Sequence, residues 1–240
     1  MDKLYIVIPA YNEQDNIEEV VKDWYPVVEK IGADSRLVII DDGSKDATYA
    51  KLQELAKNRP QLEPIHKENG GHGATVLFGY RYAIKKGANY IFQTDSDGQT
   101  LPSEFNAFWK LRKDYDMVIG HRKGRQDGFS RVVVTKVLKA VCLLCFHVNV
   151  QDANTPFRLM KAESLKKEIG FIPKNYNLSN VVVSVLFIKK GYKVKYLPIT
   201  FRPRQGGVNS INLKKIAKIG QKAVKDFIRI NKIIKTKGSK

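Results

Sequence analysis

Tyr90-Ile91-Phe92-Gln93-Thr94-Asp95-Ser96-Asp97-Gly98-Gln99 is the stretch on which the fold of this chain turns. A short apolar run ends abruptly in two carboxylates, one residue apart, and a glycine. Apolar runs of this length, bounded by turn residues, suit strands buried on both faces. Three more segments have the same form: Leu4–Pro9 runs into Ala10-Tyr11-Asn12-Glu13, Arg36–Ile40 into Asp41-Asp42-Gly43-Ser44, and Asp116–Gly120 into His121-Arg122. Leu62–His66 is a further short strand. Helical periods separate them, over Asp15–Ile31, Asp46–Asn58, Ala74–Lys86 and Pro102–Arg112. This β-α-β-α order predicts an α/β fold, a mainly parallel Rossmann-like sheet with helices on both faces. Such sheets bind ligands outside the carboxyl ends of their strands, so the polar turns should gather along one edge.

After Gly120 the rhythm changes. Phe129–Val148 reads as a very apolar helix, Val181–Lys190 as another, Tyr192–Phe201 as a strand and Asn212–Lys235 as a closing helix. The expected organisation is a catalytic domain over 1–210 and a basic amphipathic tail over 211–240.

The turn residues carry the chemistry. Asp95 and Asp97 held close together would repel each other unless a cation lay between them. Oxygen donors suit Mg²⁺ or Mn²⁺, and Gln99 offers a further polar group. In Asp41-Asp42-Gly43-Ser44-Lys45-Asp46, a helix cap needs only one side chain, Asp46 or Ser44. Asp41 and Asp42 are left for another task. Asn69-Gly70-Gly71-His72-Gly73 precedes a helix and is either a phosphate cradle or a tight glycine-rich connection. It lacks the Lys-Ser/Thr of a P-loop.

With 43% hydrophobic and 28% charged residues the chain is globular rather than disordered. Its net charge of +18 is uneven: residues 211–240 hold nine Lys and one Arg against Asp226 alone. Ile216, Ile219, Ala223, Phe227, Ile230 and Ile234 recur there at helical spacing among lysines. One reading is a helix lying on an anionic membrane. The other is a terminal helix packed on the core with a solvated lysine face. No nucleic-acid recognition motif accompanies the charge, so nucleic acid is not expected as a partner. Cys142 and Cys145 are too few for a zinc site and read as buried thiols on one helix in a reducing compartment. No signal peptide is expected, and Val132–Val150, broken by Lys136 and Lys139, falls short of a membrane span.

Three motifs in order, Val7-Ile8-Pro9-Ala10-Tyr11-Asn12-Glu13, Asp41-Asp42-Gly43-Ser44-Lys45-Asp46 and Asp95-Ser96-Asp97-Gly98-Gln99, resemble the signatures of family 2 glycosyltransferases with the GT-A fold. The similarity continues through Gly120-His121-Arg122, Asp152 to Arg158 and Gly191-Tyr192-Lys193-Val194, covering roughly residues 4–210. The branch it resembles is the dolichol-phosphate mannosyltransferase-like enzymes, which glycosylate polyprenyl phosphates. In that branch the segment ending at Arg158 reads Asp…Ser-Gly-Phe-Arg; here Thr155-Pro156 stands in place of Ser-Gly.

The resemblance implies a metal-dependent, inverting transfer from a nucleotide diphosphate-sugar. Pro9, Tyr11, Glu13 and Asp42 would hold the nucleoside, with Asp95 and Ser96 close to the ribose. Asp95, Asp97 and Gln99 would bind Mg²⁺ or Mn²⁺. Asp152, Arg122 and Arg158 would form the catalytic group, with Arg202 and Arg204 on acceptor or phosphate charge. The expected acceptor is a polyprenyl phosphate, reached by an enzyme peripheral at the cytoplasmic face of an anionic membrane. A saccharide hydroxyl is the alternative acceptor and would demand a real general base. A non-catalytic nucleotide-sugar-binding or scaffold protein is the alternative of another class, which the Asp95/Asp97 pair argues against.

Overall fold

The computed structural model describes residues 2–122, 139–202, 224 and 226–232. Strands β1 (Leu4–Ala10), β2 (Arg36–Asp41), β3 (Leu62–His66) and β4 (Tyr90–Gln93) alternate with helices α1 (Ile17–Ile31), α2 (Thr48–Ala56) and α3 (His72–Lys85). Then follow α4 (Phe105–Lys110), β5 (Met117–Arg122), α5 (139–146), β6 (Arg158–Lys161), α6 (Ala162–Glu168), α7 (Ser179–Lys189), β7 (Val194–Ile199) and α8 (226–232). The expected α/β reading holds, with most boundaries within two residues.

The seven strands form one sheet in the order β3-β2-β1-β4-β6-β5-β7. All neighbours are parallel except around β6, which runs antiparallel to both β4 and β5. β6 carries no strand signal of its own, because Arg-Leu-Met-Lys is four residues long and begins and ends on a cation. The chain winds outward from β1 to β2 and β3, then returns to place β4 on the other side of β1. The strand order thus reverses between β1 and β4, and sheets of this kind take ligands at the carboxyl ends of the strands at such a point.

β1 is buried along its whole length, which explains its unbroken apolar sequence. Alternate residues serve opposite faces. Leu4, Ile6 and Ile8 join Trp24, Phe92 and Phe105 on the α1–α2–α4 side. Tyr5 and Val7 join Leu77, Tyr80, Val182 and Phe187 on the α3–α6–α7 side.

This second core also contains Phe146 of α5 and both Phe227 and Ile230 of α8, with the two phenyl rings 5.3 Å apart. Asn231 Nδ2 donates to the Cys145 carbonyl (2.6 Å) and Lys189 Nζ donates to Asn231 Oδ1 (2.9 Å). The described part of the expected tail stripe therefore faces the protein, not a bilayer. The rest of Asn212–Lys235 and of Phe129–Val148 lies outside the described residues. Among the described residues no helix is long and apolar enough to cross a membrane. Both cysteines are free on α5. Cys142 is fully buried, and burial pushes its thiol up to about 12.

Candidate active site

The turn after β1 and the turn after β2 are laced together. Asn12 N donates to Ser44 Oγ (2.9 Å) and Lys45 N to Asn12 Oδ1 (2.9 Å). Glu13 N donates to Thr48 Oγ1 (2.9 Å), while Glu13 Oε2 accepts from Asn16 Nδ2 (2.7 Å). Pro9 is buried inside β1, and Tyr11 projects with 44% of its surface exposed. Asp46 closes the start of α2 by accepting from the Thr48 N–H (3.0 Å) and Oγ1 (2.5 Å), with Gln14 N on its other oxygen (3.2 Å). Burial opposes its charge, but these donors win and hold it below the usual carboxylate range.

Asp41 and Asp42 are both buried and have separate partners. Asp41 Oδ2 meets His66 Nδ1 at 2.6 Å. Asp42 accepts from Gly70 N and Gly71 N, both at 2.9 Å, and from Lys67 Nζ. Burial alone would raise its pKa; the bonds from Lys67, Gly70 and Thr75 and the Lys67 charge outweigh it and lower the pKa. The glycine loop is thus an anion nest, and its anion is the protein's own Asp42. The free phosphate cradle gives way to this internal arrangement. Gly43 (φ +70°) and Gly73 fit the tight-connection reading. A Cβ on Gly43 would lie 2.8 Å from Asn69 N, and one on Gly73 2.1 Å from the Asn177 carbonyl oxygen.

The loop after β4 brings Asp95 to the first residue of α3. His72 Nε2 lies 2.9 Å from Asp95 Oδ1. Desolvation disfavours a charged imidazole here, but the Asp95 charge and hydrogen bond, with Asp97 and Asp42 behind them, raise its pKa. Ser96 is buried. Asp97 Oδ1 accepts from Gln99 N at 3.2 Å. Gln99 is clasped to the segment after β7: its Nε2 donates to the Arg202 carbonyl and its own carbonyl accepts from Arg202 N, both at 2.8 Å. Beneath the loop, Tyr80 OH donates to Gln93 Oε1 (2.5 Å) in the core.

Arg122, at the end of β5, pairs with Asp152. Its guanidinium lies 5.0 Å from the centre of the Phe201 ring. Residues 201 and 202 therefore tie the Arg122–Asp152 pair to the Asp95–Gln99 loop. Arg158 is wholly buried. It donates to the carbonyls of Ala153, Thr155 (twice) and Asn180 and to Ser184 Oγ. These five bonds equal the donor capacity of a guanidinium. Arg202 is exposed, and Arg204 lies outside the described residues.

Lys67 and His72 complete this edge, with Tyr80 beneath it in the core. The sequence signal for Lys67 is a lysine just past a strand that neighbours an acidic turn. Among the described residues no group of three or more His, Cys, Asp or Glu is arranged to hold a metal unaided. Asp95 and Asp97 still fit a hard divalent ion, because Mg²⁺-like sites commonly use one or two carboxylates and take their other oxygens from substrate phosphate and water.

A doubly wound sheet with acidic turns at its switch point defines a class of nucleotide-handling α/β enzymes. The chain belongs within that class to the family described as glycosyl transferase family 2, whose sequence model matches residues 5–169, and it is a glycosyltransferase. It is 25% identical over 216 residues to a polyprenol monophosphomannose synthase of Mycolicibacterium smegmatis, covering 86% of this chain and 80% of that protein. It is 30% identical over 206 residues to an uncharacterised protein of Methanocaldococcus jannaschii, covering 82% and 81%. Among solved structures it resembles glucosyl-3-phosphoglycerate synthase from Mycobacterium tuberculosis, bound to Mn²⁺ and UDP-glucose, with a TM-score of 0.67 at 17% identity, over 95% of this chain and 79% of that one. That likeness is one of fold, and the fold is GT-A.

Proposed function

We propose that this glycosyltransferase moves a sugar, with inversion, from a nucleotide diphosphate-sugar to a polyprenyl phosphate at the surface of an anionic membrane. The observation that carries the reading is the Asp95-Ser96-Asp97 loop at the carboxyl end of β4, next to β1, where the strand order reverses. The name of the M. smegmatis relative supports a polyprenol acceptor, and the Mn²⁺ and UDP-glucose bound by the M. tuberculosis enzyme support the donor class.

Asp95 and Asp97, with Gln99 beside them, would hold Mg²⁺ or Mn²⁺. Bound there, the ion would supply positive charge to the departing diphosphate. Tyr11, Pro9 and Glu13 would form the nucleoside wall. Asp42 would shape that wall by fixing the glycine loop, and Ser96 would hold the turn beneath the ribose. Arg122 would meet phosphate, aimed by Asp152, and the exposed Arg202 would add a second cation. A phosphate acceptor is already ionised near neutral pH, so Asp152 need only position Arg122. We assign Arg158 to holding the 153–155 segment against α7.

The membrane contact of this reading involves a surface other than the Phe227 stripe. Leu143 and Leu144 of α5 and Ile228 of α8 are exposed at 53%, 75% and 59%, with Lys139, Arg229 and Lys232 on the same two helices. Apolar side chains among cations suit an anionic bilayer.

The test is a screen of nucleotide sugars with Mg²⁺ and Mn²⁺, with and without polyprenyl phosphate. Wild-type protein should transfer to the lipid, excess chelator should stop it, and Asp97→Asn should abolish turnover with an unchanged melting temperature. Undiminished turnover in chelator would sink the metal assignment. Transfer to saccharides but not to the lipid would sink the acceptor.

A further inference from the structure

We propose that His72 is itself a ligand of the divalent ion, through Nε2 beside a carboxylate oxygen of Asp95, and that it tilts the site toward Mn²⁺ over Mg²⁺. The inference rests on the metal-dependent reading above and adds a nitrogen donor to it.

His72 opens α3, and the backbone around it is held on both sides. Gly71 N is bound to Asp42, Thr75 N donates to the Gly71 carbonyl (3.0 Å), and Gly73 lies against the Asn177 backbone with no room for a Cβ. The imidazole is therefore delivered to Asp95 by a rigid turn.

His72 Nε2 and Asp95 Oδ1 are 2.9 Å apart. Two adjacent ligands of an octahedral ion with bonds of about 2.1 Å lie about 3.0 Å apart. The pair thus already has the spacing of one octahedral edge; to take the ion, the imidazole would give up its hydrogen bond to Asp95, with any Nε2 proton, and turn its lone pair toward the metal.

Exposure and charge point the same way. The imidazole is half-exposed and Asp95 about a quarter exposed, so an ion carrying a diphosphate can reach both. Asp95, Asp97 and Asp42 all direct negative charge at the ring. Mg²⁺ prefers oxygen donors, and an imidazole is a better donor to transition ions. The bias toward Mn²⁺ follows.

Pulsed electron paramagnetic resonance tests this directly. Mn²⁺ is added to the full chain, alone and with a nucleoside diphosphate. Free Mn²⁺ is counted from its continuous-wave signal, and bound Mn²⁺ is examined for ¹⁴N modulation. Wild-type protein should bind the ion and show that modulation. His72→Gln and His72→Asn should bind it without modulation, and their preference for Mn²⁺ over Mg²⁺ should fall by about tenfold. Melting curves should show both variants folded. Bound Mn²⁺ with no ¹⁴N modulation, or modulation that persists in both variants, overturns the role of His72 while leaving the metal reading intact. Absence of bound Mn²⁺ in wild-type protein, with and without nucleotide, overturns both.

Discussion

Arg122 grips Asp152 at two points, Nε to Oδ2 and Nη2 to Oδ1, both at 3.1 Å, and each side chain is only about a tenth exposed. A pair so nearly desolvated is costly to break from one side, because the survivor is left as an unpaired charge. Asp152→Ala and Arg122→Ala should each destabilise the fold by about 3 kcal/mol. The double variant should lose clearly less than their sum in denaturant unfolding. Arg122→Lys keeps the charge but not the two-point geometry, so it should lower kcat/KM for transfer more than it lowers stability. Additive losses in the double variant would show that the pair is not coupled.

Asp42 links the site to acid stability. Its folded pKa lies below its ordinary value of 3.8, and Asp46 behaves the same way. A depressed carboxylate contributes stability that is complete above the ordinary value and is lost as pH falls through the folded one. The melting temperature should therefore hold steady above about pH 5 and fall steadily below about pH 4. Asp42→Asn should flatten that acid slope, cost about 2 kcal/mol at neutral pH, and weaken nucleotide binding by calorimetry. An unchanged slope together with unchanged affinity would remove Asp42 from both roles.

Arg158 offers a contrast with Arg122. Removing its cation strands the carbonyls of Ala153, Thr155 and Asn180 in the interior. Arg158→Gln should destabilise the protein by about 3–5 kcal/mol. Donor hydrolysis and lipid-phosphate transfer should fall together, in step with the folded fraction. Selective loss of transfer at an unchanged melting temperature would instead put Arg158 against the acceptor.

The tail separates packing from adsorption. Phe227 is wholly buried against Phe146, so Phe227→Ala should cost about 3–5 kcal/mol. Leu144→Glu with Ile228→Glu, at exposed positions, should change stability by only about 0.5 kcal/mol each. That pair should weaken co-sedimentation with anionic vesicles, and wild-type binding should itself decline as salt rises. Vesicle binding untouched by the pair would clear α5 and α8 of the role.

The strands, the helices between them and the edge that bears the site were legible in the sequence because their causes are local. An apolar run such as Leu4–Ile8 has to be covered on both faces, and a turn such as Asp95-Ser96-Asp97-Gly98 ends a strand wherever that strand lies. The α/β order then follows, and with it the edge. The pairing of charges followed no such local rule. Asp152 found Arg122 across 30 residues, Asp42 found Lys67 across 25, and Asp95 found His72 across 23. β6 formed from four residues because β4 and β5 offered it two edges. Arg158 sits in the core because turned carbonyls of the 153–155 segment and α7 surround it there, and Phe227 faces inward because Phe146 is there to meet it. Residue type sets what a side chain can bond to. Which partner it receives is decided by how distant segments are brought together, since a charge is buried only where the fold has already assembled its counter-charge or its acceptors.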